Sequence, residues 1–434
     1  MKKYIYILLI LIACQDAKLN QGQSADNVIP VAKGVATVVD RLLLSKAVEE
    51  IELIALETTE ASLFNSSKIK SILLSPGYIF ISTMDRILCF DDKGKYIRDI
   101  GHLGQGNIDY NYCNGIGVDS DKRMVYVASG LGSNNELKSY SFDGAYLHTM
   151  PVAKYGAQMA SSSYHREERG YCFINNKHLF RRLLPVHDGS KDTWQILLKD
   201  TLGNIVDKIY DPACVAHNKE MVKAGGIPIS QLPYVWGTFS PMMNLFHDNI
   251  NVLFEANDTI YTYLQDKKKI CPRYIMDTNR SAKMGFEDLR VLGKSDAYFK
   301  EIIAREVYES KDYLYISVER NDNAYLVEWN KNDGSICSIR NKGEIKDAIL
   351  GGKIRRTLDG GWTNNICGGP LFYPEHHNDN QWIGVYDAES LLKLDLEKLK
   401  KEKVLNPGRR DELVGLIENM TEDSNPIVVV ATLK

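Results

Sequence analysis

Along most of the chain, short apolar runs rich in β-branched and aromatic residues alternate with polar turns, which is the pattern of strands rather than helices. The clearest stretch reads Tyr78-Ile79-Phe80-Ile81-Ser82, then Ile87-Leu88-Cys89-Phe90, then Asp91-Asp92-Lys93-Gly94, then Tyr96-Ile97. Asp and Gly in such a turn supply the positive φ that closes a hairpin. The order returns with Val125–Ala128, Lys138–Ser141, Asp143-Gly144 and Tyr146-Leu147, and again with Tyr171–Ile174, Gln195–Leu198, Asp200–Gly203 and Ile205-Val206. A fourth copy, Val252–Glu255 and Ile260–Tyr263, replaces the glycine turn with Asp266-Lys267-Lys268-Lys269. The fifth is Tyr313–Val318, Tyr325–Trp329 and Asn332-Asp333-Gly334, and a sixth opens with Pro370–Tyr373 and Gln381–Asp387.

The turn glycines recur at intervals of about 50 to 60 residues, the period of a propeller blade, in which a four-stranded sheet repeats around an axis. The pattern predicts an all-β fold, a six-bladed β-propeller. It breaks once: Ala388–Lys403 and Asp411–Met420 carry helical spacing, so a short helical insertion over about residues 388–420 is expected in the last blade. Strand signal resumes in Pro426–Leu433. Because an open ring exposes edges, Ile51–Glu57, which has no local partner, is expected to pair with the last blade.

The N-terminus reads differently. Lys2 and Lys3 precede an uncharged apolar run, Tyr4–Ile12, too short to span a bilayer, and Leu11-Ile12-Ala13-Cys14 resembles a bacterial lipobox. The expected organisation is a signal peptide over 1–13, a lipidated tether over 14–46 starting at Cys14, and the propeller over 47–434. The membrane is then touched through the lipid anchor only.

Charge and cysteine usage narrow the partners. With 53 basic and 56 acidic side chains, a formal charge of -3 and no basic block, nucleic acid is not expected as a partner. Beyond Cys14 the cysteines are Cys89, Cys113, Cys172, Cys214, Cys271, Cys337 and Cys367, without a Cys-x-x-Cys pair and often inside apolar runs, so they read as buried hydrophobes. Neither metal nor cofactor is expected: the histidines lack metal spacing, and adjacent His376 and His377 on a strand point to opposite faces.

Four features together resemble the six-bladed propeller lipoproteins abundant in Bacteroidetes, relatives of the NHL-repeat propellers: the lipobox at Cys14, Leu56-Glu57-Thr58-Thr59, Gly101–Tyr110, and Asn425-Pro426 before the final strand. That family's segment between blades usually reads Gly-x-Gly-Pro-Gly-Glu-Tyr, from which Gln105, Asn107 and Asp109 depart. The resemblance implies the fold and a lipid-anchored place on the cell envelope, at the outer membrane. It implies no activity.

Glycines in Gly101–Gly106 lack the Lys-Ser/Thr of a phosphate loop and read as a bend between blades. The candidate ligand-binding residues lie in the segments that join blades, where aromatic faces and amides suit sugars or peptides: Tyr110, Tyr112 and Asn114; Tyr234 and Trp236 with Phe239; and Asp359, Trp362 and Asn364 with Asn365. Their structural alternative is packing between blades. The expected function is a non-catalytic binding or scaffold module for a glycan, a peptide or an envelope protein. The alternative is a hydrolase or lyase acting on polysaccharide or peptide, which requires acidic, His or Tyr side chains to converge in the channel.

Overall fold

The computed structural model describes residues 27–129, 136–151, 172–174, 177–181, 196–200, 204–212, 242–246, 249–254, 257–280, 300–321, 323–340, 361–378 and 380–434. Two early strands, β1 (Val28–Ile29) and β2 (Val48–Ala55), join sheets completed much later in the chain. Five antiparallel meanders follow. The first holds β3 (Ser71–Ser75), β4 (Tyr78–Ser82), β5 (Ile87–Asp91) and β6 (Tyr96–Asp99). The second holds β7 (Cys113–Asp119), β8 (Met124–Ser129), β9 (Glu136–Ser141) and β10 (Tyr146–Pro151), and the third β11 (Cys172–Ile174), β12 (Lys177–Arg181), β13 (Ile196–Asp200) and β14 (Ile205–Ile209). The fourth holds β15 (Met242–Phe246), β16 (Asn249–Leu253), β17 (Thr259–Leu264) and β18 (Lys269–Met276), and the fifth β19 (Ile303–Glu309), β20 (Tyr313–Arg320), β21 (Asn323–Asn330) and β22 (Ile336–Arg340). A closing sheet is assembled from both ends of the chain in the order β2, β25 (Ile427–Leu433), β24 (Gln381–Tyr386), β23 (His376–His377).

This is an all-β propeller. First strands of neighbouring sheets lie side by side, β23 with β3, β3 with β7, β7 with β11 and β15 with β19, which marks the axis. Side chains alternate across each sheet into two different cores: Ile79 and Ile81 meet Ile383, Val428 and Val430 of the closing sheet, whereas Phe80 meets Ile116, Val125 and Val127 of the second. Both faces of a central strand are therefore dry, and its sequence reads as a continuous apolar run instead of an alternating one. At the turns, Gly94 has φ 84° and Gly144 φ 81°, while Lys268 takes φ 48° where the fourth unit lacks its glycine. A Cβ on Gly94 would fall 2.2 Å from the Ala55 carbonyl oxygen, so this turn needs both the positive φ and the missing side chain.

Four expectations are corrected. Contiguous chain builds five blades and not six; the last unit is the composite closing sheet. Pro370–Tyr373 is not its first strand: Phe372 makes an isolated bridge with Trp362, and the two-residue β23 takes that place. The two expected helices are three short ones, α2 (Ala388–Leu392), α3 (Leu396–Lys401) and α4 (Pro407–Glu418), after an earlier α1 (Val31–Ala36). Asp387, Asp395 and Asn406 cap α2, α3 and α4 through the N–H groups of Ser390, Lys398 and Arg409, and each cap restarts a helix. Leu391, Leu399, Leu413 and Ile417 then enter the core that holds Trp362 and Trp382.

The fourth correction concerns residues 28–46, placed in the tether by their polar start. They form a strap across the outer rims of two meanders before reaching the closing sheet. β1 adds to β18 in parallel, Val28 opposite Ile275 and Ile29 opposite Met276. Val38 bridges Ser338 on β22, and Leu43 bridges Thr363. Ile29, Val31, Val35, Leu42 and Leu44 are buried along the way, and apolar burial of this extent holds the strap down. At its end Lys46 Nζ lies 2.6 Å from Oε1 of the buried Glu328.

Closure follows expectation. β2 pairs with β25 along its length, Ile51 opposite Ala431 and Ala55 opposite Ile427. Asn425 locks the corner: its Nδ2 donates to the carbonyls of Glu57 (2.8 Å) and Ser62 (2.9 Å), its Oδ1 accepts from the Phe64 amide (3.2 Å), and its own amide donates to Thr58 Oγ1 (2.8 Å).

Asn425→Ala strands the Ser62 carbonyl and the Phe64 amide, leaves the Glu57 carbonyl to Ser62 Oγ alone, and is expected to lower the unfolding free energy by about 2–4 kcal/mol, read from urea melts. The strap gives a second expectation. Desolvation pulls the Lys46 ammonium down, but the hydrogen bond and charge of Glu328 outweigh it and leave the group raised above its ordinary 10.5. A base raised on folding stabilises fully below its unfolded pKa and stops doing so as pH rises through the folded one. Wild type should therefore exceed Lys46→Met in melting temperature at pH 8, with the gap closing above about pH 10.5.

Candidate functional site

In an antiparallel meander, the links between successive sheets leave from the same end as the links between second and third strands. The tight one–two and three–four turns occupy the opposite end. First strands line the axis, so polar groups on them are the side chains a ligand in the channel would meet.

β19 carries such a group. Glu306 is half-buried, and a bulge between Ala304 and Glu306 on the β20 ladder shifts the register at this point. Its Oε2 accepts from Tyr308 Oη at 2.5 Å and from Tyr373 Oη, and the two hydroxyls are 2.8 Å apart. Tyr308 comes from β19 itself and Tyr373 from the segment entering β23, so the carboxylate sits at the seam of the fifth meander and the closing sheet. Burial first, and the Glu306 charge second, raise both phenols well above their ordinary value of 10. They are protonated donors, not bases. Behind them, Trp362 and Trp382 meet Tyr308 edge-on at 5.8 and 5.9 Å, and His377 meets it at 6.3 Å.

Three residues on, Glu309 has the opposite environment. Arg273 Nη2 and Lys331 Nζ approach its Oε1 at 2.7 and 2.6 Å, and Asn251 Nδ2 donates to Oε2 at 2.8 Å. Lys331 also donates to the Ser310 carbonyl at 2.6 Å, and desolvation lowers its pKa despite the opposing pull of Glu309. This network is buried, saturated and structural; it rivets the fourth meander to the fifth.

The sequence candidates divide into three groups. Tyr110 is buried edge-on to Tyr140 (6.3 Å), whose hydroxyl donates to the Ile108 carbonyl at 2.7 Å; the glycine segment is thus packed between blades. Trp362 is wholly buried at 5.0 Å from the rings of both Tyr315 and Trp382, and buried Asn364 donates to Tyr386 Oη (3.0 Å) while accepting from the Cys367 amide (3.1 Å). Asn365 holds the strap through Ser45. Tyr112 is half-buried beneath Lys70, whose Nζ lies 4.3 Å from its ring centre. Asn114 lies on β7. Cys14, Tyr234, Trp236, Phe239 and Asp359 lie outside the described residues.

Of the described candidates, Trp362 reaches the Glu306 seam, by packing against Tyr308 and Tyr373. Glu306 itself was missed because a lone Glu in Ile-Ala-Arg-Glu-Val-Tyr-Glu has no local signature; only the bulge and a partner 67 residues away give it meaning. Among the described residues no three His, Cys, Asp or Glu side chains gather as a metal site would require. Cys89, Cys113, Cys337 and Cys367 are free thiols, and burial pushes Cys89 and Cys113 up to about 12.

With fold and site in place, the relatives can be weighed. The chain belongs to the family described as "Domain of unknown function (DUF4934)", which matches residues 26–432. Among solved structures it is similar to a protein described as exported from Bacteroides fragilis, at 15% identity and a TM-score of 0.60, covering 94% of this chain and 99% of that one. The extracellular domain of a one-component system from B. thetaiotaomicron aligns at 11% identity and a TM-score of 0.33, over 66% of this chain and 29% of that one. The first likeness shows the fold; the second carries no argument. No curated protein matches the chain.

Glu309→Ala leaves Arg273 and Lys331 buried without a counter-charge and is expected to cost about 3–5 kcal/mol in urea unfolding, several times the cost of Glu60→Ala at the exposed surface.

Proposed function

We propose that this protein is a non-catalytic binding module of the cell envelope, with its ligand held in the axial channel against Glu306. The observation that carries the reading is a half-exposed carboxylate on a first strand, fixed by a buried and a half-buried phenol at a seam between sheets. A fixed acceptor that no cation of the described residues pairs suits recognition of hydrogen-bond donors on a glycan or peptide. In this reading the closing sheet acts as a sixth blade, and Cys14 is acylated so that the propeller stands at the outer membrane. The lipobox pattern supports the anchor, and an exported protein of the same fold supports export. An envelope protein remains a partner of the same class.

The second reading, a hydrolase or lyase acting on polysaccharide or peptide, draws on the same convergence of Glu306, Tyr308 and Tyr373. Against it stands the state of the phenols: both are held protonated, which leaves no base beside the carboxylate among them.

The test is a glycan and peptide array probed with the full chain, followed by calorimetry on hits. Glu306→Gln is expected to abolish or sharply weaken the hits without changing the melting temperature much. Unchanged binding, or turnover of a hit that the variant loses, would overturn the proposal, the latter in favour of the enzyme.

A further inference from the structure

The charge balance of one sheet gives the channel site a ligand class. The fifth meander contains four glutamates, Glu306 and Glu309 on β19, Glu319 on β20 and Glu328 on β21. Three have a cation within ion-pair distance: Glu309 has Arg273 and Lys331, Glu319 has Arg305 at 3.0 Å, and Glu328 has Lys46 at 2.6 Å. Burial makes this pairing necessary, because a carboxylate withdrawn from water without a counter-charge is costly. Glu306 is the exception among the described residues. Its neighbours are two neutral hydroxyls, both directed at Oε2, so hydrogen bonding holds the group in place without neutralising it.

We infer that a cationic ligand group, a primary ammonium such as a lysine side chain presents, completes this site by pairing with Oε1 of Glu306. The inference rests on the proposed axial binding site and narrows its chemistry. Three observations favour an ammonium over a neutral sugar. The carboxylate, without a counter-ion among the described residues, is half-exposed on a strand that borders the axis. Of the aromatic rings around the site, Trp362, Trp382 and Tyr308 are buried, and the half-buried Tyr373 turns its hydroxyl to the carboxylate, so little ring face is offered to a sugar. The paired glutamates of the same sheet also show that this environment accepts a cation at 2.6–3.0 Å from a carboxylate oxygen. Tyr308 and Tyr373 are positioning residues here: they aim the carboxylate and do not touch the ligand.

The probe is trilysine, titrated calorimetrically into the full chain at low ionic strength, beside trilysine acetylated on every amine. Trilysine is expected to bind and the acetylated peptide not. Glu306→Gln should weaken trilysine at least about tenfold, and Tyr373→Phe by less, while Glu60→Gln at the exposed surface leaves affinity unchanged. Thermal melts show that each variant is folded. Equal affinity of wild type and Glu306→Gln would reduce the effect to surface charge and overturn the inference, as would failure of trilysine to bind at millimolar concentration. If a neutral saccharide binds in a Glu306-dependent manner and trilysine does not, the axial site stands and the ammonium is wrong. If a ligand binds regardless of Glu306, both fall.

Discussion

The pairing of β2 with β25 is the constraint on which the architecture depends. A blade has two apolar faces and cannot bury either alone, so each sheet relies on its neighbours, and a ring of such sheets has no stable end. Here the end is removed by joining residues near both termini in one ladder. Asn425 makes that ladder specific: its side-chain amide donates to the Ser62 carbonyl, which would otherwise be unpaired, and joins Ser62 Oγ on the Glu57 carbonyl. The same corner reaches the first meander, because the Glu57 amide donates to the Gly94 carbonyl and Glu57 Oε2 accepts from the Tyr96 amide. One polar knot thus connects the last strand, the closing strand and the first hairpin.

The strap extends the same logic around the rim. It satisfies part of the outer edge of β18, crosses β22 and delivers Lys46 to Glu328, so residues that precede the propeller in sequence hold two meanders and the closing sheet in register. Gly34 shows how closely it lies: a Cβ there would fall 2.7 Å from Val327 Cγ1 and 2.9 Å from Ile336 Cγ1.

Strand identity was legible where packing dictates it. The second and third strands of most units are dry on both faces and rich in Ile, Val, Leu and Phe, and the turn glycines are required by φ, so both stand out. The first strands do not. β7 reads Cys-Asn-Gly-Ile-Gly-Val-Asp and β19 Ile-Ala-Arg-Glu-Val-Tyr-Glu, because a strand bordering the axis packs against few side chains and is free to carry small or polar ones. The sequence pattern accordingly displays three strands of each four-stranded unit. Leu56–Thr59 and Asn425-Pro426 were noticed as separate motifs, and the structure makes them the two halves of one contact. The strap was misread for a different reason: its apolar residues are spaced irregularly, since it touches three sheets in turn and follows no single period.

Two of the candidate aromatics, Trp362 and Tyr110, are buried between blades for a related cause. Trp and Tyr between blades look like ligand platforms in sequence, but Trp362 and Tyr110 fill the wedge-shaped gap that opens between diverging sheets, and large rings fill such gaps best. The contribution of Trp362 to the site is indirect. By drying the seam behind Tyr308 and Tyr373, Trp362 and Trp382 keep both phenols protonated, and protonated phenols can only donate to Glu306. A group that must relay protons needs a pKa near the working pH, whereas these are driven far from it. The arrangement gives one acceptor of fixed direction, without a counter-ion among the described residues, and that is the feature on which the proposed recognition rests.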